Sequence, residues 1–353
     1  MKAQQPTHLL RTILIGFGSV HRAFARLLLQ KQAVLAKQYH IAFDVVGVSD
    51  SRGAICNDAG LDLAKLLAHK EKGHSVATFA EGEALPDSPT LARTCDYDIL
   101  MEASPVNLTN GEPALGCVRL ALQRGRSAVL ANKAPLVLDF IGLHELARKH
   151  AADLAYSATV CGGLPVINVG QRDLTAADIV RVEGIFNSTS NYILTRMAAG
   201  EPYEDALAEA QRRGLAETDP TLDVDGWDTA NKLVIIANGV LGAPAQLADV
   251  AVKGIRALTR AQIERAQATG KMYRLIAAAE RRKDGWRFEV APRALPKDSF
   301  LGSVDGWEMG IVFHSDIFET IYLKVDEREP TATASAMLRD AVRLGIPCAS
   351  SQK

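Results

Sequence analysis

Asp228 and Lys232 stand four residues apart in the stretch GLAETDPTLDVDGWDTANK, residues 214–232. On a helix this spacing sets a carboxylate and an ammonium on one face, with Asp225 within about 60° of them and Ile235 and Ile236 continuing the face. A solvated ion pair is the commoner use of the spacing. The apolar continuation weighs against that use, because a pair sunk in such a face is shielded from water and coupled to a cleft. A second cluster, ANKAPL at 131–136, follows a strand pattern at 127–131. Open parallel sheets bind ligands beyond the carboxyl ends of their strands, which puts Lys133 on the edge where chemistry belongs; taken alone it reads as a plain turn lysine.

A third stretch suits a dinucleotide. The apolar run Thr12 to Ile15 leads into GFGSVH, residues 16–21, and then into a helical pattern. Gly16 permits the tight turn, Gly18 lets backbone approach a pyrophosphate, and the helix N-terminus offers unpaired N–H groups, so Gly16, Phe17, Gly18, Ser19 and Val20 make up the expected cradle. His21 occupies the place of the third glycine, where close strand-to-helix packing wants no side chain. At the end of the second strand pattern stand Asp50 and Arg52. The acid suits a ribose 2′-hydroxyl and favours NAD, whereas the guanidinium suits a 2′-phosphate and favours NADP. The two signals conflict, and a solvated Asp-Ser-Arg-Gly turn explains either residue alone.

The elements that must position these groups follow from the wider pattern. Residues 1–155 alternate β-rich runs with helical stretches, which predicts an α/β fold, a Rossmann-like doubly wound parallel sheet. Helices are expected over 19–37, 112–124 and 139–150. From about residue 156 to 330 the rhythm changes to a second α+β domain for catalysis and dimerisation, and a helix within 331–353 is expected to return to the first domain. A chain of 353 residues suits two domains. With 40 basic and 41 acidic residues the formal net charge is −1, without the basic excess that a phosphate backbone demands, so nucleic acid is not expected as a partner. No apolar run approaches the roughly 20 residues of a membrane span, and no signal-peptide pattern precedes the first strand. The cysteines Cys56, Cys95, Cys117, Cys161 and Cys348 are odd in number and scattered. They read as reduced thiols of a cytoplasmic protein.

Together the segments GFGSV (16–20), EASPVN (102–107), ANKAPL (131–136), GLP (163–165), GIFNSTSNYIL (184–194) and the long 214–232 motif resemble homoserine dehydrogenase over nearly the whole chain. The resemblance is to the short, monofunctional form, without kinase or regulatory domain. It implies an NAD(P)-dependent enzyme that interconverts L-aspartate 4-semialdehyde and L-homoserine on the way to threonine and methionine. It implies Lys232 as proton donor, Asp228 beside it, and Lys133 near both nicotinamide and substrate. Glu217 and Asp223 would hold the amino end of the amino-acid substrate, and Ser104 and Asn132 would join the cofactor site. A homodimer through the second domain is also implied. The reaction suits the residues, because an ammonium bonded to a carbonyl oxygen stabilises the alkoxide that develops and then protonates it.

Three positions depart from the family pattern. Ser157 stands where a glutamate is common near a bound sodium or potassium ion, which leaves the backbone carbonyls of Val160 and Gly162 as a weaker cation site. The charged segment Asp326 to Pro330 replaces a small turn expected near the nicotinamide, and predicts weaker cofactor binding. His21 is the third. Two rivals follow from these departures: a paralogue acting on another small amino-acid semialdehyde or oxo acid, and a weakly active cofactor-binding sensor. Retention of Glu217, Asp228, Lys133 and Lys232 together argues against the sensor.

Overall fold

The structure, a computed structural model, describes residues 8–213 and 219–346. It divides into two compact units, one running to Gly163 and resuming at Glu329, the other spanning Leu164–Arg328.

The first unit is built on strands β1 (His8–Ile15), β2 (Ile41–Asp50), β3 (Gly53–Cys56), β4 (Glu83–Leu85), β5 (Ile99–Glu102), β6 (Ser127–Leu130) and β7 (Leu154–Ala155). Their order is β4-β3-β2-β1-β5-β6-β7, parallel from β2 to β7, with β3 and β4 antiparallel at one edge. Ile13, Leu14 and Ile15 are wholly buried, as a strand covered on both faces requires. The chain leaves β1 through the helix Ser19–Val34 to β2 on one side and comes back at β5 on the other. The strand order therefore reverses between β1 and β5, which is where a doubly wound sheet opens its ligand crevice. Ile15 pairs in register with Glu102, so Gly16 and the residues after Glu102 emerge at the same end. The helix Thr331–Gly345 belongs to this unit and buries Ala334, Met337 and Ala341 completely.

Two expected helices shift. The first begins at Ala114 after the cap Pro113; the second begins at Ala134 and kinks at Asp139 (φ −150°). The earlier start is favoured because Pro135 falls in the first turn, where its missing N–H costs nothing.

The reading of all cysteines as reduced thiols is corrected: Cys56 and Cys95 form a disulfide. The antiparallel turn from β2 into β3 carries Cys56 to the end of the helix Ser88–Thr94, which Cys95 caps. A separation of 39 residues gives no local signal of that meeting. Cys117 and Cys161 are buried, and burial pushes the Cys117 thiol far up, so it is inert. Cys348 lies outside the described residues.

The second unit carries strands β8 (Ile179–Ile185), β9 (Val250–Val252), β10 (Lys271–Arg282), β11 (Gly285–Pro296), β12 (Glu308–Ser315) and β13 (Glu319–Asp326), in the order β13-β12-β8-β10-β11-β9. All pairs are antiparallel except β9 with β11. The sequence pattern marks no strand between residues 187 and 285. The alanines Ala277, Ala278 and Ala279 of β10 favour helix locally, and the twelve-residue pairing with β11 overrides that preference. The helix Trp227–Gly239 brings the diagnostic motif into this unit and buries Leu233, Val234, Ile235 and Ile236.

Candidate functional site

In the second unit, Gly226 adopts a left-handed conformation (φ +87°) that starts the helix Trp227–Gly239. The break decides which acids of the motif share a face. Asp228 and Lys232 lie one turn apart on the helix, and their side chains pair at 2.7 Å with 9% and 15% exposure. Asp225 precedes the break and is corrected out of this group: it forms an exposed ion pair with Nε and one Nη of Arg256. The Lys232 ammonium also donates to the backbone carbonyl of Phe186 at 2.6 Å. Next to Phe186, the buried Asn187 caps the helix Ser188–Ala198 by accepting from the Ser190 N–H at 2.7 Å. Its amide nitrogen donates to Asp223 at 2.7 Å and to Asp228 at 2.9 Å. One amide thus bridges two carboxylates and fixes both relative to Lys232. Asp223, Asp228 and Lys232 come together as expected of them, while Glu217 lies outside the described residues.

Asn187 and the Phe186 carbonyl are not singled out by sequence reasoning as working groups. The available signal is the cap pattern Asn-Ser-Thr-Ser at 187–190, which announces a helix start but not what the amide bridges.

In the first unit, Gly16 (φ +84°) turns the chain after β1, and a Cβ there would fall 2.6 Å from the Ser104 Cα. No other residue fits without moving that loop. Above Gly18 the space is open, so backbone is exposed to a ligand there. The helix after it has no side-chain cap at Gly18, which leaves the first-turn N–H groups of Ser19 and Val20 and the positive dipole end for an anion. Phe17 contributes only backbone, since its ring is buried in the core. This arrangement fits the pyrophosphate of a dinucleotide. His21 is compensated: its Nδ1 bonds the Gly16 carbonyl at 2.9 Å, and burial drives its pKa down to about 4 against that bond, so the ring is neutral and donates. The absent third glycine is replaced by a side chain that pins the first.

At the end of β6, Asn132 accepts from the Ala134 N–H at 2.9 Å and donates to the Pro105 carbonyl at 3.3 Å and the Ser104 hydroxyl at 3.5 Å. Lys133 sits between them as the cap of the helix Ala134–Lys149.

Asp50 is not available in the way a ribose-binding acid requires. Its carboxylate accepts from Lys70, from the Ser75 hydroxyl at 3.0 Å, and from the N–H groups of Val76 at 3.0 Å and Arg52 at 2.9 Å. Burial disfavours its charge, but these four donors outweigh burial and hold the carboxyl below its usual range. Arg52 reaches over the same turn to the Gly73 carbonyl at 2.9 Å. The acid is thus saturated and neutralised, and Arg52 and Lys70 are the cations beside it.

Ser157 receives a charge from a distant element. The buried Asp340 of the helix Thr331–Gly345 accepts from the Ser157 N–H at 2.9 Å and hydroxyl at 2.6 Å, and Arg339 donates to that hydroxyl at 3.1 Å. Cys161 and Gly162 both take φ +55°, which turns the carbonyls of the 160–162 segment in succession. The donor set there is backbone oxygen; the Asp340 carboxylate is engaged by Ser157, and no group of three or more acidic, His or Cys side chains suited to a metal occurs among the described residues. In the 326–330 segment, Arg328 pairs with Asp326 at 2.8 Å in an exposed position.

Comparison with known proteins agrees with these features. The family model for homoserine dehydrogenase matches residues 165–342, and that for glutamate/leucine/phenylalanine/valine dehydrogenases matches residues 10–115. The homoserine dehydrogenase of Methanocaldococcus jannaschii is 36% identical over 94% of this chain and 97% of its own length. The NAD(+)-dependent homoserine dehydrogenase of Pseudomonas canavaninivorans is 35% identical over 94% and 95%. Among solved structures, a putative homoserine dehydrogenase from Archaeoglobus fulgidus superposes with a TM-score of 0.86 at 35% identity, over 96% of this chain and all of that one. A hyperthermophilic archaeal homoserine dehydrogenase in complex with NADPH gives 0.83 at 26% identity, over 95% and 97%.

Proposed function

Since the chain belongs to the homoserine dehydrogenase family and is therefore an NAD(P)-dependent oxidoreductase acting on a CH–OH group, we propose that it interconverts L-homoserine and L-aspartate 4-semialdehyde with Lys232 as proton donor and acceptor. The observation that carries this reading is the Lys232 ammonium held between Asp228 and the Phe186 carbonyl. When bound, NAD(P)H supplies the hydride for the aldehyde carbon. Lys232 then stabilises the developing alkoxide and protonates it; in the other direction it removes the hydroxyl proton. Asp228 holds the ammonium in place. Asp223, with Glu217, takes the substrate ammonium by charge-assisted hydrogen bonds, and Lys133 contributes a positive charge from the end of β6. An absorbance assay at the nicotinamide band tests the reading: turnover of L-homoserine is expected, and turnover confined to another amino-acid semialdehyde overturns it.

The saturation of Asp50 by Lys70, Ser75 and two backbone N–H groups supports acceptance of NADP at least as well as NAD. Arg52→Ala and Lys70→Met each raise KM for NADP about tenfold or more, the equivalent of losing a charge-assisted contact of about 1.5–3 kcal/mol, and leave KM for NAD within about threefold. Equal losses with both cofactors in steady-state kinetics would refute the assignment.

Weak cation binding is part of the same reading. Activity in a Tris buffer is expected to vary less than about twofold when sodium or potassium is added or removed at constant ionic strength, because backbone carbonyls alone hold a hard cation poorly. A saturable requirement at low concentration of either ion would count against it.

Assembly as a homodimer through the second unit is proposed on the family likeness. A cytoplasmic location belongs to the same proposal, supported by the dependence on a nicotinamide cofactor and no longer by cysteine usage. Among the described residues no helix is long and apolar enough to cross a membrane.

A further inference from the structure

The crevice of the first unit contains a charged group that the proposed reaction does not use. Glu102 ends β5 and is fully buried. Its Oε1 accepts from the Ser104 N–H at 3.0 Å and, in a shorter bond, from the Ser104 hydroxyl. Its Oε2 is buried with no hydrogen-bond partner among the described residues. Such a carboxylate is expensive to keep unless its placement does something. Two contacts lead outward from it. Ser104 lies against Gly16, where even a Cβ would collide with its backbone. The Ser104 hydroxyl also meets Asn132, whose side chain caps the helix behind Lys133. Glu102 thereby ties together the turns after β1, β5 and β6, the three that frame the crevice.

We propose that Glu102 is a positioning residue for cofactor binding: its ionised carboxylate grips Ser104, and through Ser104 holds the fingerprint turn and the Asn132–Lys133 turn in one arrangement. The inference rests on the reading of this crevice as the NAD(P) site. Burial raises the Glu102 pKa to about 7, with the hydrogen bonds from Ser104 opposing the rise. The groups facing it are few. Cys117 on the helix Ala114–Gln123 is coupled to it but stays neutral, Ile15 and Leu130 beside it on β1 and β6 are apolar, and His21 on the helix Ser19–Val34 is neutral against Gly16. Protonation weakens the grip, because a neutral acceptor binds Ser104 less strongly than a carboxylate does. Cofactor affinity should therefore fall as pH drops through about 7.

The test is a fluorescence titration of the intact protein with NADPH and with NADH from pH 5.5 to 8.5, in the wild type and in Glu102→Gln. At pH 8 the variant should bind both cofactors about tenfold more weakly. Near pH 5.5 the two proteins should converge, because the wild type has then lost its charge. The variant should show no step near pH 7. Titration of the NADPH 2′-phosphate is common to both proteins and cancels in the comparison. Should Glu102→Gln fail to fold, the wild-type profile with NADH still decides: a flat profile, or tighter binding at low pH, overturns the proposal, the latter by showing that Glu102 acts only as a charge repelling the cofactor. Equal affinity in wild type and variant at pH 8 also overturns it. If the wild type binds neither cofactor, the reading of the crevice fails instead.

Discussion

Lys232→Met lowers kcat about 10²- to 10⁴-fold and leaves the dissociation constants for NADP and NAD within about threefold of wild type. The lower bound is what a positioned general acid contributes, and the upper bound adds loss of charge stabilisation at the substrate oxygen. Methionine approximates the length and apolar stem of lysine, so the packing of the helix Trp227–Gly239 is preserved while the bonds to Asp228 and the Phe186 carbonyl vanish. Asp228 retains the Asn187 amide as a donor at 2.9 Å, which limits the cost of a carboxylate left without its cation. Thermal unfolding should show a folded protein, and single-turnover kinetics should place the loss in the chemical step. A variant with wild-type kcat removes Lys232 from the mechanism.

Asn187→Ala lowers kcat/KM for L-homoserine roughly tenfold to hundredfold, corresponding to about 1.5–3 kcal/mol for hydrogen bonds to charged groups. The amide donates to both Asp223 and Asp228, so its removal lets two carboxylates repel and misaligns whatever each of them holds. Alanine also deletes the cap of the helix Ser188–Ala198, which costs about 1 kcal/mol of stability. Asn187→Ser separates the two effects. Serine keeps a capping oxygen but is too short to bridge the acids, so the melting temperature should recover while kcat/KM does not. Recovery of both would reduce Asn187 to a helix cap. Cofactor affinity should be unchanged in either variant.

The parts of the fold and site that are legible in the chain are those made by neighbours in sequence. The strand, turn and helix around Gly16 are contiguous, so glycine spacing reports them directly, and the four-residue interval between Asp228 and Lys232 reports a shared helix face. The alternation of strands and helices through the first 155 residues announces a parallel sheet because each βαβ unit is local. Asp225 is misplaced by the same reasoning, because a wheel drawn through Gly226 assumes a continuous helix where the backbone turns left-handed. The strand β10 escapes notice for a related reason: its alanines state a local preference that pairing with β11 overrules.

Contacts closed by distant segments carry no such spacing. Asn187 reaches Asp223 and Asp228 across 36 and 41 residues, Lys232 reaches Phe186 across 46, and Ser157 meets Asp340 across 183. Sheet register and helix packing create these meetings. Residue types and intervals alone determine that this chain holds a dinucleotide turn, a lysine–carboxylate pair on an apolar helix face and a second lysine at a strand end. Tertiary structure decides which charges work: it buries the Asp228–Lys232 pair, pairs Asp225 with Arg256 instead, neutralises Asp50 against Lys70, and leaves Glu102 beneath the crevice of the first unit with one oxygen unmatched. The physical reason is that a carboxylate is the same group everywhere in the sequence, whereas its charge, reach and cost depend on the dielectric and the donors that folding puts around it.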